Sequence, residues 1–234
     1  MDFENKLIPG VLIKRYKRFF VDIKLNNKTV TAHCPNPGSM LKLLKKGNPV
    51  WITKSNNEKR KLKYTLQIIE VNKSKYCVNT LVTNKIIQEA LNKKLINELK
   101  NFQIIKSEKK FGKNTRFDFY LSNKKDNAFL EVKSVSLSRR KSHAEFPDAV
   151  TERGKKHLRN LILANRQGFK SYLIFLIQIE NCKSFGIASD IDPSYFQAFK
   201  EAIKKNVKVL CYDCKFSKEG IEINKKIDIL LNEN

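Results

Sequence analysis

The chain has 234 residues, 41% of them hydrophobic, and its 47 basic and 23 acidic residues give a formal charge of +24. Its longest apolar run, Tyr172 to Ile177, is far shorter than the roughly 18 residues that cross a bilayer. No apolar stretch of signal-peptide length follows the N-terminus. We therefore expect a cytoplasmic protein with no membrane partner and with one large domain or two small ones.

The positive charge favours a polyanionic partner, and DNA is the partner that we expect. Residues 1–82 hold 17 basic and 5 acidic residues, whereas residues 83–234 hold 30 and 18, so each part carries a net +12. The N-terminal third is therefore the more concentrated basic surface. Lysine, asparagine and isoleucine are abundant throughout, so an A+T-rich coding sequence is a competing source of the charge.

Residues 10–82 consist of short runs with a strand pattern, separated by turn residues. The predicted strands are Gly10–Arg15, Phe19–Leu25, Lys28–His33, Pro49–Lys54, Tyr64–Val71 and Lys75–Val82. Ser39 can cap one short helix, Met40–Lys45. A barrel of five such strands with one small helix is typical of the OB type, a fold that commonly binds oligonucleotides. We therefore predict an N-terminal, nucleic-acid-binding domain over residues 1–82.

From residue 83 onwards, predicted helices and strands alternate. In order, they are a helix over 83–101, strands near 103–111, 115–121 and 127–136, a helix ending near 167, a strand over 171–179, a helix from 193 to about 206 and a strand over 207–212. Asp148 or Thr151 is the candidate cap of the second helix. This order predicts a C-terminal α/β domain over residues 83–234, and an α+β chain overall.

Two strands of the predicted α/β domain place carboxylates side by side. In each strand apolar residues alternate with polar ones, so each has one core face and one polar face. A symmetric loop between them pairs Leu121 with Ala128 and therefore Asp118 with Glu131. Like charges directly opposed, with Cβ atoms roughly 4.5–5.5 Å apart, are destabilising, and a cation between them would remove that penalty. Lys133 lies on the same face as Glu131.

An aspartate opposite Glu-x-Lys is the arrangement that metal-assisted phosphodiester hydrolysis requires. Carboxylate oxygens suit Mg²⁺ or Mn²⁺, such a metal lowers the pKa of a bound water, and a lysine can neutralise developing negative charge. We therefore predict Asp118 and Glu131 as metal ligands, and these two with Lys133 as catalytic residues. The alternative is the ordinary alternation of charged and apolar residues along a surface strand.

Glu98 is a weaker candidate for the same site. On the predicted first helix it falls within the apolar stripe, where a carboxylate needs a partner. That partner is either the metal or Lys94.

A basic segment of the predicted barrel is a candidate DNA contact. Arg15, Lys17 and Arg18 are interleaved with aromatic residues. Cations follow phosphates and aromatic rings stack on bases, so this mixture is typical of a nucleic-acid surface. One of Phe19 and Phe20 is expected in the barrel core instead.

Arg153 and Lys156, on the second predicted helix, are further candidate DNA contacts. They lie off its apolar face, so they can reach phosphate. A solvated helix face is the alternative. Gly154 lies on the apolar face and predicts a close approach of this helix to the sheet.

Five segments of the chain together resemble one family. They are Lys17–Phe19, Ala32–Met40, Asn114–Asp118, Glu131–Lys133 and Phe146–Leu158. In this order they are similar to the sugar fermentation stimulation protein A (SfsA) family over nearly the whole chain, and the last segment is long and specific. The resemblance implies an N-terminal OB-fold domain joined to a C-terminal domain similar to PD-(D/E)xK nucleases.

The resemblance also implies site residues and a function. Asp118, Glu131 and Lys133 match the nuclease-like site, with Glu98 as a weaker member. Asn36 and Arg116, which lie in the matching segments, join the candidate DNA contacts. The implied function is DNA binding without sequence specificity, together with a regulatory link to sugar (maltose) metabolism.

Two functions therefore stand side by side. One is a DNA-binding protein that works without catalysis, and the other is a Mg²⁺- or Mn²⁺-dependent nuclease that uses the barrel to hold its substrate. The acidic cluster discriminates between them, because paired carboxylates repel phosphate and serve no purpose in a pure binder. A helix-turn-helix is not evident in the sequence, which disfavours sequence-specific repression.

Overall fold

The computed structural model describes residues 1–112 and 115–230. Asn114, which belongs to a segment that carries the resemblance, and residues 231–234 of the predicted second domain lie outside the described residues. The elements in chain order are β1 (Ile8–Tyr16), β2 (Phe20–Leu25), β3 (Lys28–His33), β4 (Pro49–Lys54), β5 (Tyr64–Val71), β6 (Ser74–Cys77), a 3₁₀ turn (Thr80–Val82), α1 (Thr83–Asn92), β7 (Ile104–Phe111), β8 (Thr115–Ser122), β9 (Asn127–Val135), β10 (Leu137–Arg140), β11 (His143–Phe146), α2 (Glu152–Arg166), β12 (Lys170–Ile177), β13 (Ser184–Ile187), α3 (Pro193–Lys204), β14 (Lys208–Phe216), β15 (Ile221–Lys226) and β16 (Asp228–Leu230).

The first five strands form a closed barrel. Their order is β3-β2-β1-β4-β5, and β3 closes onto β5 through the pairs Ala32–Tyr64 and His33–Thr65. Because β3 pairs with β5, neither strand has a free edge at this point. Strand β6 extends the sheet by pairing with β5. Apolar side chains that alternate along the strands fill the interior. The predicted OB-type barrel of five strands is confirmed.

The short helix predicted over residues 40–45 does not form. Met40 and Lys42 have φ values of 54° and 63°, which lie in the left-handed region that a right-handed helix does not contain. The segment is a turn that buries Met40 and Leu43 in the core of the barrel. The apolar pattern of the segment reflects this burial and not a helical face.

The C-terminal part of the chain is built on a six-stranded mixed sheet with the order β15-β14-β12-β9-β8-β7. Neighbours β9, β12 and β14 are parallel, and α2 and α3 lie in the two connections between them, as parallel pairing requires. Helix α1 packs on one face of the sheet, and α2 and α3 pack on the other. The predicted α/β architecture is confirmed, whereas β15 and the small sheet β10-β11-β13-β16 were not predicted.

Helix α1 is shorter than predicted and ends at Asn92. Lys94 adopts a left-handed φ of 56°, and the Leu95 amide donates to the carbonyl of Ala90 over 2.9 Å. This is a Schellman ending, which stops the helix while it satisfies its last carbonyls. Leu99, in the turns that follow, is still buried, so the apolar stripe continues beyond the helix that it predicts.

Helix α2 begins after Thr151, whose Oγ1 accepts a hydrogen bond from the Gly154 amide over 3.0 Å. Thr151, and not Asp148, is therefore the N-cap. The close approach of Gly154 is to α3 and not to the sheet, because a Cβ there would lie 3.0 Å from Cε2 of Tyr195. The glycine therefore sets the α2–α3 spacing.

Asp148 joins the barrel to the segment before α2. Ser39 Oγ donates to its carbonyl over 2.7 Å, and its carboxyl group lies against Gly38. A Cβ on Gly38 would lie 2.7 Å from the carboxyl carbon of Asp148. Only glycine therefore fits between the barrel loop and this carboxyl group.

Gly38→Ala is expected to destabilise the protein by about 1–3 kcal/mol, the usual cost of overpacking a tight contact. For a chain of this size that is a decrease in melting temperature of roughly 2–12 °C, measured by calorimetry. In an Asp148→Ala background the same substitution should cost less than half as much, because the colliding carboxyl group is absent. Equal costs in both backgrounds would contradict the contact.

Candidate metal centre and nucleic-acid interface

The β8–β9 hairpin has the predicted register. Leu121 pairs with Ala128 and Phe119 with Leu130, and backbone pairing ends there. One residue further, a side chain replaces the backbone as hydrogen-bond acceptor. Asp118 Oδ2 accepts a hydrogen bond from the backbone amide of Val132 over 2.8 Å. The carboxylate of Asp118 is thereby held at the residue that follows Glu131, as the register predicts.

Glu131 lies at the centre of the site and is 3% exposed. Its Oε1 contacts Nδ1 of His157 on α2, and Lys133 Nζ lies 2.8 Å from the same oxygen. Lys133 Nζ also lies 3.2 Å from His157 Nδ1. A carboxylate oxygen only accepts, so we assign the ring proton to Nδ1. Two donors therefore converge on one oxygen of Glu131.

The other oxygen, Glu131 Oε2, is buried and has no hydrogen-bond partner among the described residues. Buried polar atoms are nearly always paired, and an unpaired carboxylate oxygen carries a particularly high desolvation cost. This oxygen therefore needs a partner that the described residues do not supply.

Asp118 and Glu131 have pKa values shifted in opposite directions. Burial, followed by the charge of Glu131, raises the pKa of Asp118, against the hydrogen bonds from the Val132 amide and Asn84. Burial would also raise the pKa of Glu131, but the hydrogen bond from His157 and the charge of Lys133 outweigh it and lower that pKa. Ionisation of Asp118 beside the ionised Glu131 is therefore unfavourable, and a bound cation would make it favourable.

The donor set fits a hard divalent cation. Asp118 Oδ1 accepts from Asn84 Nδ2 over 2.8 Å, which leaves each Asp118 oxygen a further lone pair, and Glu131 Oε2 is unpartnered. Within the described ranges no group of three or more His, Cys, Asp or Glu side chains is arranged to hold a metal. Two carboxylates suit Mg²⁺ or Mn²⁺, because Mg²⁺ keeps several waters and binds through one or two carboxylates.

Glu98 lies apart from this cluster. Its carboxylate accepts from Tyr212 Oη over 2.7 Å and from Lys226 Nζ over 2.5 Å, and neither the metal site nor Lys94 is its partner. Tyr212 belongs to β14, two strands from β9 in the sheet, and packs on the α1 face, whereas Glu131 contacts α2. Two strand spacings are about 10 Å. The structure therefore does not bring Glu98 to the site for which it was a candidate.

Arg15 and Asn36 have structural partners. Arg15 donates to the carbonyls of Arg18, Gly38 and Asn36 over 2.7, 3.0 and 2.6 Å. Asn36 is 2% exposed, donates to the Val78 carbonyl and accepts from the Gly38 amide. These groups hold the loop that meets Asp148, and a contact of either side chain with DNA stays a prediction.

The tip of the β1–β2 hairpin is an exposed basic surface. Lys17 and Arg18 occupy left-handed positions with φ of 45° and 62°, and both side chains are exposed. Phe19 is 41% exposed beside His33, and Phe20 stacks on Tyr16 without being buried. The expectation that one phenylalanine lies in the barrel core is therefore wrong, and the tip combines exposed cations with an exposed ring.

Three other predicted DNA contacts lie on the elements that build the site. Arg153 Nε lies 3.4 Å from His157 Nε2, on the side of the ring away from Glu131. Lys156 is exposed on the same helix. Arg116 is exposed two residues before Asp118 on β8, and its Nη1 lies 3.5 Å from Glu108 Oε2. Their contact with DNA stays a prediction.

His157 and Asn84 are site residues that the sequence analysis did not identify. His157 lies on α2 and contacts Glu131. Asn84 stands in the first turn of α1 and holds Asp118. A signal for His157 was present, because a buried Glu131 requires a donor and a histidine on the following helix can supply one.

Known proteins resemble the chain along almost its whole length. Residues 13–80 match the family model described as "SfsA N-terminal OB domain", and residues 81–220 match "Sugar fermentation stimulation protein RE domain". The chain belongs to the SfsA family. Sugar fermentation stimulation protein homologs of Pelagibacter ubique and Pseudoalteromonas atlantica are similar to it at 51% and 42% identity, covering 98% and 99% of this chain and 99% and 100% of theirs.

A solved member of the SfsA family has the same fold. The chain is similar to Pyrococcus furiosus SfsA, solved in complex with Ca²⁺, with a TM-score of 0.89 and 24% identity, over 99% of this chain and 98% of that one. At this identity the likeness concerns the fold. The predicted domain boundary near residue 82 stays a prediction. Among the described residues, no helix is long and apolar enough to cross a membrane.

Proposed function

We propose that this protein binds DNA without sequence specificity and holds a divalent cation, Mg²⁺ or Mn²⁺, at Asp118 and Glu131. The observation that carries the proposal is the unpartnered, buried Oε2 of Glu131 beside the half-buried carboxylate of Asp118, whose pKa is raised. A pure DNA-binding surface has no use for such a pair, which repels phosphate. A cation satisfies the oxygen and reverses the local charge.

The charge distribution supports DNA as the partner. The chain carries +24, Arg153 Nε lies 3.4 Å from Nε2 of the site residue His157, and Lys156 is exposed on the same helix. The basic hairpin tip of the barrel adds Lys17 and Arg18 with an exposed ring. These groups would contact phosphates and bases, which is typical of binding without sequence readout. A cytoplasmic location and a regulatory role in sugar metabolism stay predictions.

A second candidate function is metal-dependent hydrolysis of a phosphodiester, and the position of Lys133 favours it. Its Nζ is 2.8 Å from Glu131, and its side chain is 12% exposed. A fixed ammonium beside the carboxylates can neutralise the charge that develops on a phosphate. When bound, the cation would lower the pKa of a water and polarise the phosphate. This arrangement resembles the Asp and Glu-x-Lys of PD-(D/E)xK nucleases.

Calorimetric melting in the presence of Mn²⁺ tests the site. With Mn²⁺ about 100-fold above its Kd, a cation that binds only the folded protein stabilises it by about 2.7 kcal/mol. For a chain of this size we expect the melting temperature to rise by roughly 5–10 °C. The reason is that the cation removes the repulsion between Asp118 and Glu131.

Two substitutions and one control make this measurement specific. Asp118→Asn and Glu131→Gln should abolish the Mn²⁺-induced rise, because each removes a proposed ligand of the cation. Glu98→Gln, on the opposite face of the sheet, should keep the full rise. A rise that survives Asp118→Asn, or one lost in Glu98→Gln, would place the cation elsewhere.

A further inference from the structure

A basic cleft adjoins the carboxylate site. Its walls are edge strand β7 and helix α2, and its volume is about 710 Å³. Lys106, Lys109 and Lys110 line it from β7, and Lys156 lines it from α2, immediately before His157. Asn160 Nδ2 donates to Thr115 Oγ1 over 2.6 Å and ties α2 to β8. Phe129 also lines the cleft and lies two residues before Glu131 on the same face of β9, roughly 7 Å along the strand, so the cleft lies beside the carboxylate site.

The charges of the cleft are uncompensated. The described residues that line it include four lysines and no carboxylate. Glu108, which also lies on β7, has a left-handed φ of 54°, is absent from the lining and lies 3.5 Å from Arg116. Four exposed cations that share a concave surface repel one another and raise the local concentration of anions. A chain of phosphates would relieve that repulsion.

The cleft also offers an aromatic surface. Tyr120 is half-buried in its wall, and Lys109 Nζ lies 5.9 Å from the centroid of its ring. Phe129 packs against Tyr120 and Phe169 and makes the ring assembly rigid. A cation beside a fixed ring is the combination on which single-stranded nucleic acids bind, with phosphates on the cations and bases on the ring.

We propose that this cleft binds a single strand of DNA, which passes from the carboxylate site between β7 and α2. The lysines hold consecutive phosphates, and Tyr120 supports a base. The volume of about 710 Å³ is that of a pocket for one small organic ligand, which matches a nucleotide or two within the cleft. The inference rests on the proposed function, because it names the form of DNA and its path from the same site.

The test compares two variants that lose equal charge. Lys106→Ala/Lys109→Ala/Lys110→Ala empties one wall of the cleft. Lys208→Ala/Lys215→Ala/Lys218→Ala is the control, because these exposed lysines lie on or after β14, four strands from β7 in the sheet. The probe is a labelled single strand of about 20 nucleotides, longer than the 4–16 that one OB fold occupies. Its affinity is measured by fluorescence anisotropy from about 0.1 to 1 M salt.

Each phosphate contact on a single strand contributes about 0.7 to the slope of log K against log salt. The cleft variant should therefore lose about 2 from the slope and bind about 100-fold more weakly at 0.1 M salt, converging with wild type near 1 M. Lys156→Ala, from the opposite wall, should lose about 0.7. The control variant should keep the wild-type slope, and a duplex probe should lose much less affinity than the single strand.

Equal losses of affinity in the cleft and control variants would contradict binding in the cleft, because the change in net charge alone would explain them. They would not contradict DNA binding by the protein. A loss on duplex as large as that on the single strand would overturn the proposed form of the ligand. A wild-type protein that binds neither probe would overturn the proposed function together with the cleft. Circular dichroism melting of both variants checks that these exposed substitutions leave the fold intact.

Discussion

With Mn²⁺ present, replacing Lys133 by methionine is expected to slow DNA cleavage by about 10²–10³-fold, the usual loss when one group that stabilises developing charge is removed. Lys133 Nζ is held 2.8 Å from Glu131 Oε1, so the ammonium is already fixed beside the carboxylates. The measurement is the single-turnover rate of cleavage of a labelled strand, with protein in excess.

Three further variants show whether this loss belongs to the site. Asp118→Asn and Glu131→Gln should reduce cleavage to background, because each removes a proposed metal ligand. Glu98→Gln should cleave at the wild-type rate, since Glu98 is held by Tyr212 and Lys226. Wild-type rates for Lys133→Met would contradict a catalytic role of this lysine. A wild-type protein that leaves the strand intact would contradict hydrolysis and favour DNA binding alone.

The hairpin that builds the site was predictable because its determinants are local. Alternation of apolar and polar residues fixes the faces of β8 and β9, and a short loop fixes their register. The pair Leu121–Ala128 therefore follows from the sequence. The same holds for the alternation of strands and helices after residue 83, since each element carries its own period.

The partners of polar side chains were not predictable, because they come from distant parts of the chain. Asn36 and Val78 are 42 positions apart, and Glu98 and Lys226 are 128 apart. The sequence shows that Asn36 and Arg15 are polar and lie near basic residues. This is equally typical of a residue that contacts DNA and of one that makes hydrogen bonds inside the protein. Only the barrel topology shows that their donors and acceptors are already used.

The two carboxylates of the site affect the stability of the protein in opposite ways as the pH changes. The raised pKa of Asp118 means that the metal-free folded protein binds more protons there than the unfolded chain, so this group lowers stability as the pH rises through that pKa. Glu131 acts oppositely. Its lowered pKa contributes stability above its ordinary value near 4.5, and that contribution is lost as the pH falls through the lowered pKa. Lys133 and His157 are the source of the second effect.

Lys133→Met should therefore destabilise the metal-free protein at neutral pH by about 3–5 kcal/mol, the usual result of breaking a buried ion pair, since His157 is then the only donor left to the carboxylate of Glu131 among the described residues. Glu131 is 3% exposed and cannot recover hydration. The melting temperature should fall by roughly 6–20 °C, measured by calorimetry.

The double variant Glu131→Gln/Lys133→Met should recover most of the lost stability, because it also removes the carboxylate charge that Lys133 balances. Lys133→Met alone should approach the stability of wild type as the pH is lowered, since Glu131 then takes up a proton. A double variant as unstable as Lys133→Met would show that the methionine harms packing and not charge. The ion pair would then contribute little to stability, whereas rescue by Glu131→Gln would show that the pair of Lys133 and Glu131 stabilises the fold.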